Sequence, residues 1–179
     1  MDGAVVGLQG VLREEEALIS GDGVRVQTFV EVSLEEAFDV FTLELDAWWR
    51  HGPAYRVGGR EQGAIHLEPK LGGRVFQQYG ERGSSVHEIG AIASWNPPTH
   101  FAFTWRGINF TAADPSTTVE VWFEAGEGGT RVTLEHRGFA AMRADHPVRH
   151  GQPVVAFLRT LGGWWGGLAT SFREQCSRE

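Results

Sequence analysis

Lysine is almost missing from this 179-residue chain. Lys70 is the only one among 16 basic side chains, and Lys and Arg form no run. Against 23 Asp and Glu the net charge is −7. A chain this acidic, with no basic stripe, is not built to hold nucleic acid or an anionic membrane surface as its main partner. Cysteine is equally scarce. Cys176 stands alone near the C-terminus, so no internal disulfide can form and nothing points to an oxidising compartment. The N-terminus lacks the basic-then-apolar order of a signal peptide. The uncharged run Thr160 to Phe172 is too short to span a bilayer, so its GxxxG spacings (Gly162/Gly166, Gly163/Gly167) are not a membrane dimer motif. A cytoplasmic protein is expected.

Catalytic signatures are absent too. There is no Gly-x-Ser-x-Gly elbow, no P-loop and no dinucleotide fingerprint. The seven His are scattered. His146-Pro-Val-Arg-His150 has the i,i+4 spacing of a helical metal pair, but Pro147 breaks the helix that would align the rings, and the Glu of a zinc protease motif is lacking. No metal and no cofactor are expected. Asn109-Phe-Thr111 fits a glycosylation sequon, a chance match without a secretion signal.

What the chain does have is aromatic bulk. Seven Trp and eleven Phe sit in a sequence that is 41% hydrophobic and 22% charged, the composition of a globular domain with one sizeable core. The last helical stretch, Gln152 to Arg173, organises the rest. At about 100° per residue, Val154, Leu158, Leu161, Trp165, Leu168 and Phe172 share one stripe, which Phe157 and Trp164 widen on one side. The pairs Gly162-Gly163 and Gly166-Gly167 fall mostly off it. Four helical glycines cost roughly 4 kcal/mol relative to alanine. Propensity therefore does not make this helix, and an apolar surface elsewhere must hold it.

The remaining chain supplies that surface. Residues 1–20 read as an N-terminal extension, either a weak amphipathic helix (Val5, Leu8, Val11, Leu12, Leu18, Ile19) or a frayed tail, and 21–179 as one domain. Val24 to Val32 alternates as a strand. Ser33-Leu-Glu-Glu36 is a capping box that opens a helix bearing Leu34, Ala37, Phe38 and Phe41, followed by a short helix over Leu45–Trp49. Residues 50–63 form a loop. Strands follow at Ala64–Glu68, Arg74–Tyr79, Val86–Trp95, Phe101–Trp105, Thr117–Glu124 and Thr130–His136, with hairpin-length connections and turn signals between them. Residues 106–116 and 138–151 read as loops. This order implies an α+β fold: an antiparallel sheet of about six or seven strands, covered on one face by the C-terminal helix.

Several runs resemble the activator-of-heat-shock-protein-90-ATPase-like family. They are Ser33 to Trp49, ending in a Trp pair; Leu71-Gly-Gly-Arg-Val-Phe76; Gly90 to Arg106, with Asn96-Pro-Pro98 before Thr104-Trp105; Val119 to Phe139; and Gly163-Trp164. They occur in the family's order over roughly residues 24–175. The resemblance places the chain in the superfamily of START lipid-transfer domains, birch-pollen-allergen-like proteins, polyketide cyclases and the CalC self-resistance protein. It implies a helix-grip fold, with a cavity between a curved sheet and the long helix.

On that expectation Phe38, Phe41, Trp48, Trp49, Phe76, Phe103, Trp105, Phe123 and Trp164 either converge on a pocket for a flat apolar ligand or fill a core. His136 shares the face of Val132 and Leu134, as a satisfied core histidine, a ligand handle or a base. On the strand Val86–Trp95 one of His87 and Glu88 faces inward, the wet face being the better reading for Glu88. Three functions follow. The chain binds a small apolar or aromatic molecule without transforming it, acts as a polyketide cyclase or aromatase through His136, His87 or Glu88, or engages a chaperone partner as an ATPase activator-like module. The glycine face of the last helix is open to a loop or to a second subunit in a homodimer.

Overall fold

The structure, a computed structural model, describes residues 18–178. The amphipathic stretch expected from Val5 to Leu12 lies outside them. Eight strands run β1 (Leu18–Ile19), β2 (Gly23–Val30), β3 (Gln62–Leu67), β4 (Arg74–Tyr79), β5 (Ser85–Asn96), β6 (His100–Trp105), β7 (Thr117–Gly126) and β8 (Gly129–Arg137). Three α-helices, α1 (Leu34–Leu43), α2 (Leu45–Trp48) and α3 (Val154–Cys176), complete the fold with short 3-10 turns. The strands form one open antiparallel sheet in the order β1-β2-β8-β7-β6-β5-β4-β3. The count exceeds the expected six or seven because Leu18 and Ile19 pair with Arg25 and Val24. Two residues carry too little alternation to be read as a strand.

Between β2 and β3 the chain crosses the concave face through α1, α2 and the loop after them. Ser33 caps α1 as the capping box requires, its hydroxyl accepting from the Glu36 backbone N–H. Register shifts between β3 and β4, β4 and β5, and β5 and β6 mark irregularities that bend the sheet around its contents. Inward residues alternate as the strands demand. Val24, Val26, Thr28 and Val30 on β2, Thr117, Val119, Val121 and Phe123 on β7, and Val132, Leu134 and His136 on β8 are buried. This is the helix-grip fold, and no helix among the described residues is long and apolar enough to cross a membrane.

α3 lies on the concave face against β2, α1 and α2. Leu158, Trp165, Leu168 and Phe172 of its stripe are buried, as are Phe157 and Cys176. Each large apolar side chain so placed contributes about 1.5–3 kcal/mol, which outweighs the glycine penalty. Val154 and Leu161, also on the stripe, are only half-buried.

The four glycines divide. Gly162 is buried. Gly163 and Gly166 face open space, and a methyl group on either would meet no atom within 4 Å. At Gly167 the same methyl would lie 2.8 Å from the Tyr55 hydroxyl and 3.1 Å from an Arg50 nitrogen, so the loop after α2 reaches the helix there. Gly166→Ala is therefore expected to stabilise the protein by up to about 1 kcal/mol. Gly167→Ala should gain less, because Tyr55 and Arg50 must move aside. Thermal unfolding of both variants checks this, and a lower melting temperature for Gly166→Ala would show that the face is packed.

Candidate functional site

Beneath the C-terminal half of α3 the sheet–helix gap is filled. The space left among Val26, Phe41, Trp48, Leu134, Trp165 and Phe172 is about 20 Å³, room for no more than a single water. Phe38 meets Trp95, Phe101 and Phe123 edge-on with centroids 5.3, 5.9 and 5.1 Å apart, and Phe41 contacts Phe172 at 5.1 Å. Of the aromatic set read from the sequence, Phe38, Phe41, Trp48, Phe103 and Phe123 thus belong to the packed core. Phe76 is on the other face of the sheet, sandwiched by Arg74 (4.5 Å to the ring centre) and His66 (5.0 Å) while its neighbours Val75 and Gln77 point inward.

Trp105, Trp164 and His136 go elsewhere. They line a solvent-open cleft of about 470 Å³ at the N-terminal half of α3. The helix contributes Phe157, Thr160 and Leu161, and the loops contribute Ile108, Asn109, Phe139, Val148, His150 and Gln152. Ile108, on the rim, is 62% exposed. Beside this cleft lies a smaller hollow of about 160 Å³, also open to solvent, lined by Trp49, Tyr55, Gln77, His87, Ile89 and others. The two share Ala54, Trp105, Gly107, Ile108 and Trp164 as a common wall.

His136 marks the boundary between filled core and open cleft. It is 1% exposed. The Trp165 indole N–H donates to its Nδ1 at 3.1 Å, and an indole can only donate. Nδ1 therefore carries no proton and Nε2 does. Nε2 then donates to the Thr117 hydroxyl at 2.7 Å, which passes its own proton toward the Trp105 carbonyl at 3.3 Å. Both ring nitrogens are committed, and burial pushes the imidazole down to about 3. Glu88 is exposed on the outer face. His87 faces the smaller hollow half-buried. Burial lowers its pKa, and no hydrogen bond holds its ring among the described residues. Of the three candidate proton carriers, only His87 has free nitrogens at a hollow.

Two buried polar clusters fix the loops around the cleft. Arg56, 3% exposed, donates to the Asp46 carboxylate at 2.6 Å and to the carbonyls of Trp49 (2.6 Å) and Gly63 (2.8 Å). It thereby ties the loop after α2 to α2 and to edge strand β3. Asp46 also accepts the Ile65 N–H at 2.9 Å, which covers that edge. Burial works against the Asp46 charge, but the Ile65 and Arg56 hydrogen bonds win and hold its pKa below the usual range.

On the other rim, Asp114 accepts the Thr111 N–H (2.7 Å) and hydroxyl (2.9 Å), pairs with Arg143 (3.2 Å), and lies 3.1 Å from the buried His146 Nε2. The loop carrying Ile108 is thus fastened to the segment carrying Val148 and His150. The Thr111 N–H above all holds the Asp114 carboxyl down at about 2.

With this geometry, likeness to known proteins can be stated. The chain belongs to the family described as Activator of Hsp90 ATPase homolog 1-like protein, which matches residues 31–158. Among curated proteins none matches significantly. Among solved structures it resembles a protein from Nitrosomonas europaea (12% identity, TM-score 0.61, covering 90% of this chain and 97% of that one). A protein of unknown function from Staphylococcus aureus is also similar (16%, 0.60, 93% and 99%). So is the anthrahydroquino-gamma-pyrone synthase Txn09, solved as a complex with SUM (26%, 0.52, 86% and 99%). The first two likenesses are of fold alone.

Two pH dependences follow. His136 stays neutral in the native state until about pH 3, whereas an unfolded histidine takes a proton near its ordinary 6.5. The unfolded chain binds more protons between these values, so this contribution is fully present above 6.5 and declines as pH falls, by on the order of 1.4 kcal/mol per unit. His136→Leu should lower the melting temperature at pH 7 by leaving the Trp165 N–H unpaired, a loss of about 1–3 kcal/mol. It should also flatten the decline of stability from pH 6.5 to 4. Asp114 has the opposite charge logic but the same direction. Its depressed pKa stabilises above 3.8, and that contribution is lost as pH falls through about 2. Asp114→Asn should therefore lower the melting temperature at pH 7, with the gap to wild type closing between pH 4 and 2. Melting curves across pH check both, and parallel wild-type and variant profiles would refute them.

Proposed function

We propose that the protein binds a small, flat aromatic molecule in the cleft at the N-terminal half of α3. The observation that carries this is the contrast along one helix. The gap is packed shut under Trp165, Leu168 and Phe172, yet a cleft of about 470 Å³ opens beside Trp164, Phe157 and Leu161. That volume lies within the range of small-molecule sites, and the mix of apolar walls with a few polar groups is typical of them. Ring faces of Trp105 and Trp164 suit stacking, while Asn109, His150, Gln152 and Thr160 stand as polar handles. With the rims fastened by Arg56 and Asp114, the shape is largely formed in advance, which limits the ordering cost of binding.

The synthase likeness supports a second reading, in which the occupant is converted as well as held. His87, which lines the adjoining hollow and not the cleft itself, is then the residue to move a proton for an occupant that extends into that hollow, because its nitrogens are unengaged and burial favours its neutral form. Nothing comparable in the geometry favours a chaperone partner over a small molecule.

The test is titration with neutral polycyclic aromatics such as 2-naphthol, following tryptophan emission and melting temperature. Emission should shift and the melting temperature should rise, and Ile108→Asp at the rim should weaken binding about tenfold by bringing a charge to an apolar wall. If no such compound moved either signal, the binding reading would fall. For the second reading, turnover of an anthrahydroquinone-type compound should disappear in His87→Phe.

A further inference from the structure

We propose that the smaller hollow is a terminal subsite of the cleft. Trp164 is the partition between them, and an elongated fused-ring ligand with a hydroxyl or carbonyl at its leading end reaches past its edge to hydrogen-bond His87. This rests on the reading that the cleft binds an aromatic molecule.

Four observations carry it. The hollow, at about 160 Å³, is small for a ligand site of its own but shares a wall with a much larger one. That wall is built around two half-buried tryptophans that meet edge-on at 5.8 Å. Trp105 is built into β6, its strand paired on both edges and its carbonyl the acceptor for Thr117. Trp164 is half-buried, stacked on Tyr55 (5.6 Å), and pinned by an indole N–H donating to the Ala54 carbonyl at 2.6 Å. The helix runs unbroken through Gly163 and Gly166, both facing open space. Glycine there loosens the backbone that carries the indole and packs against nothing.

The fourth observation is the polarity of the hollow. Arg56 is committed to Asp46 and backbone carbonyls. Gln77 is committed to Val57, donating to its carbonyl at 2.9 Å and accepting its N–H at 3.0 Å. The Tyr55 hydroxyl is turned to Gly167 on the helix. His87 alone among these offers its nitrogens inward. A neutral imidazole presents one donor and one acceptor, which suits a hydroxyl or carbonyl and not an anion. The ligand class is therefore a neutral, linear polycycle with one polar end.

The experiment compares 2-naphthol, short enough for the cleft alone, with 2-anthrol, one ring longer, by titration calorimetry. Both should bind wild type. His87→Phe keeps the ring bulk and removes the nitrogens, so it should weaken 2-anthrol about tenfold and 2-naphthol less than about twofold. His87→Gln, which restores a donor and an acceptor, should recover most of the 2-anthrol affinity. If 2-anthrol binds wild type and His87→Phe equally, the subsite is refuted while the cleft stands. If neither compound binds wild type, both the subsite and the cleft reading fall. Circular dichroism of each variant distinguishes a lost contact from a lost fold.

Discussion

One buried hydrogen bond decides where this protein is solid and where it is hollow. The Trp165 indole reaches across from α3 to the Nδ1 of His136 on β8. It fixes the height of the helix over the sheet at that point, because neither group has another partner and a buried unpaired donor costs about 1–3 kcal/mol. Toward the C-terminus from this contact, Leu168 and Phe172 close onto Phe41 and β2. Toward the N-terminus Leu158 and Phe157 are still buried, but Leu161 and Val154 are only half-buried, and beside them sheet and helix part. The chain of donors continues through Thr117 to the Trp105 carbonyl, so the residue that closes the core is also tied to the backbone of a cleft-wall residue.

The parting would be ruinous if the rims were loose, since a gap open to water exposes apolar surface on both sides. Here charge does the fastening. Arg56 and Asp114 are each nearly inaccessible, each surrounded by several hydrogen-bond partners, and each placed at the root of a cleft loop. A buried charge satisfied in this way tolerates little displacement, because losing one partner leaves it desolvated and unpaired. The loops can therefore be long in sequence and still present a fixed shape.

Much of this is legible in the sequence, and the limits are physical. Strand alternation from Val24 onward, the Ser33 capping box and the stripe on the last helix set out the element order and a sheet covered by that helix, while the grip was implied by the family resemblance. The wheel separates Trp165, on the stripe, from Trp164, at its edge, and the structure puts the first in the core and the second on the cleft wall. What the sequence hides is the cleft's far side. Ile108, Asn109, Val148 and His150 come from loops with no period to read, and those loops meet through Asp114, whose partners lie in sequence as far off as Arg143 and His146, and through Phe110 packed edge-on against His146. Phe76 shows a different limit. On β4 the two faces read Arg74, Phe76, Gln78 against Val75, Gln77, Tyr79, with apolar and polar residues on both. The second face is the inner one: Val75 is in the core, and Gln77 is buried beside it with its amide paired to the Val57 backbone.

The glycine pairs of α3 take their meaning from this division. A helix that merely plugged the sheet would carry alanine at Gly163 and Gly166, where nothing stands within 4 Å and each substitution would add about 1 kcal/mol. The buried stripe contributes enough to tolerate glycine there, so stability alone does not explain their presence. They bracket the one large aromatic of the helix that is not sealed into the core. Gly167, on the same turn, admits Tyr55 and Arg50 from the loop that also holds the Trp164 indole. The helix is thus rigid where it grips and spare where it borders the cleft, and the change falls between two adjacent tryptophans.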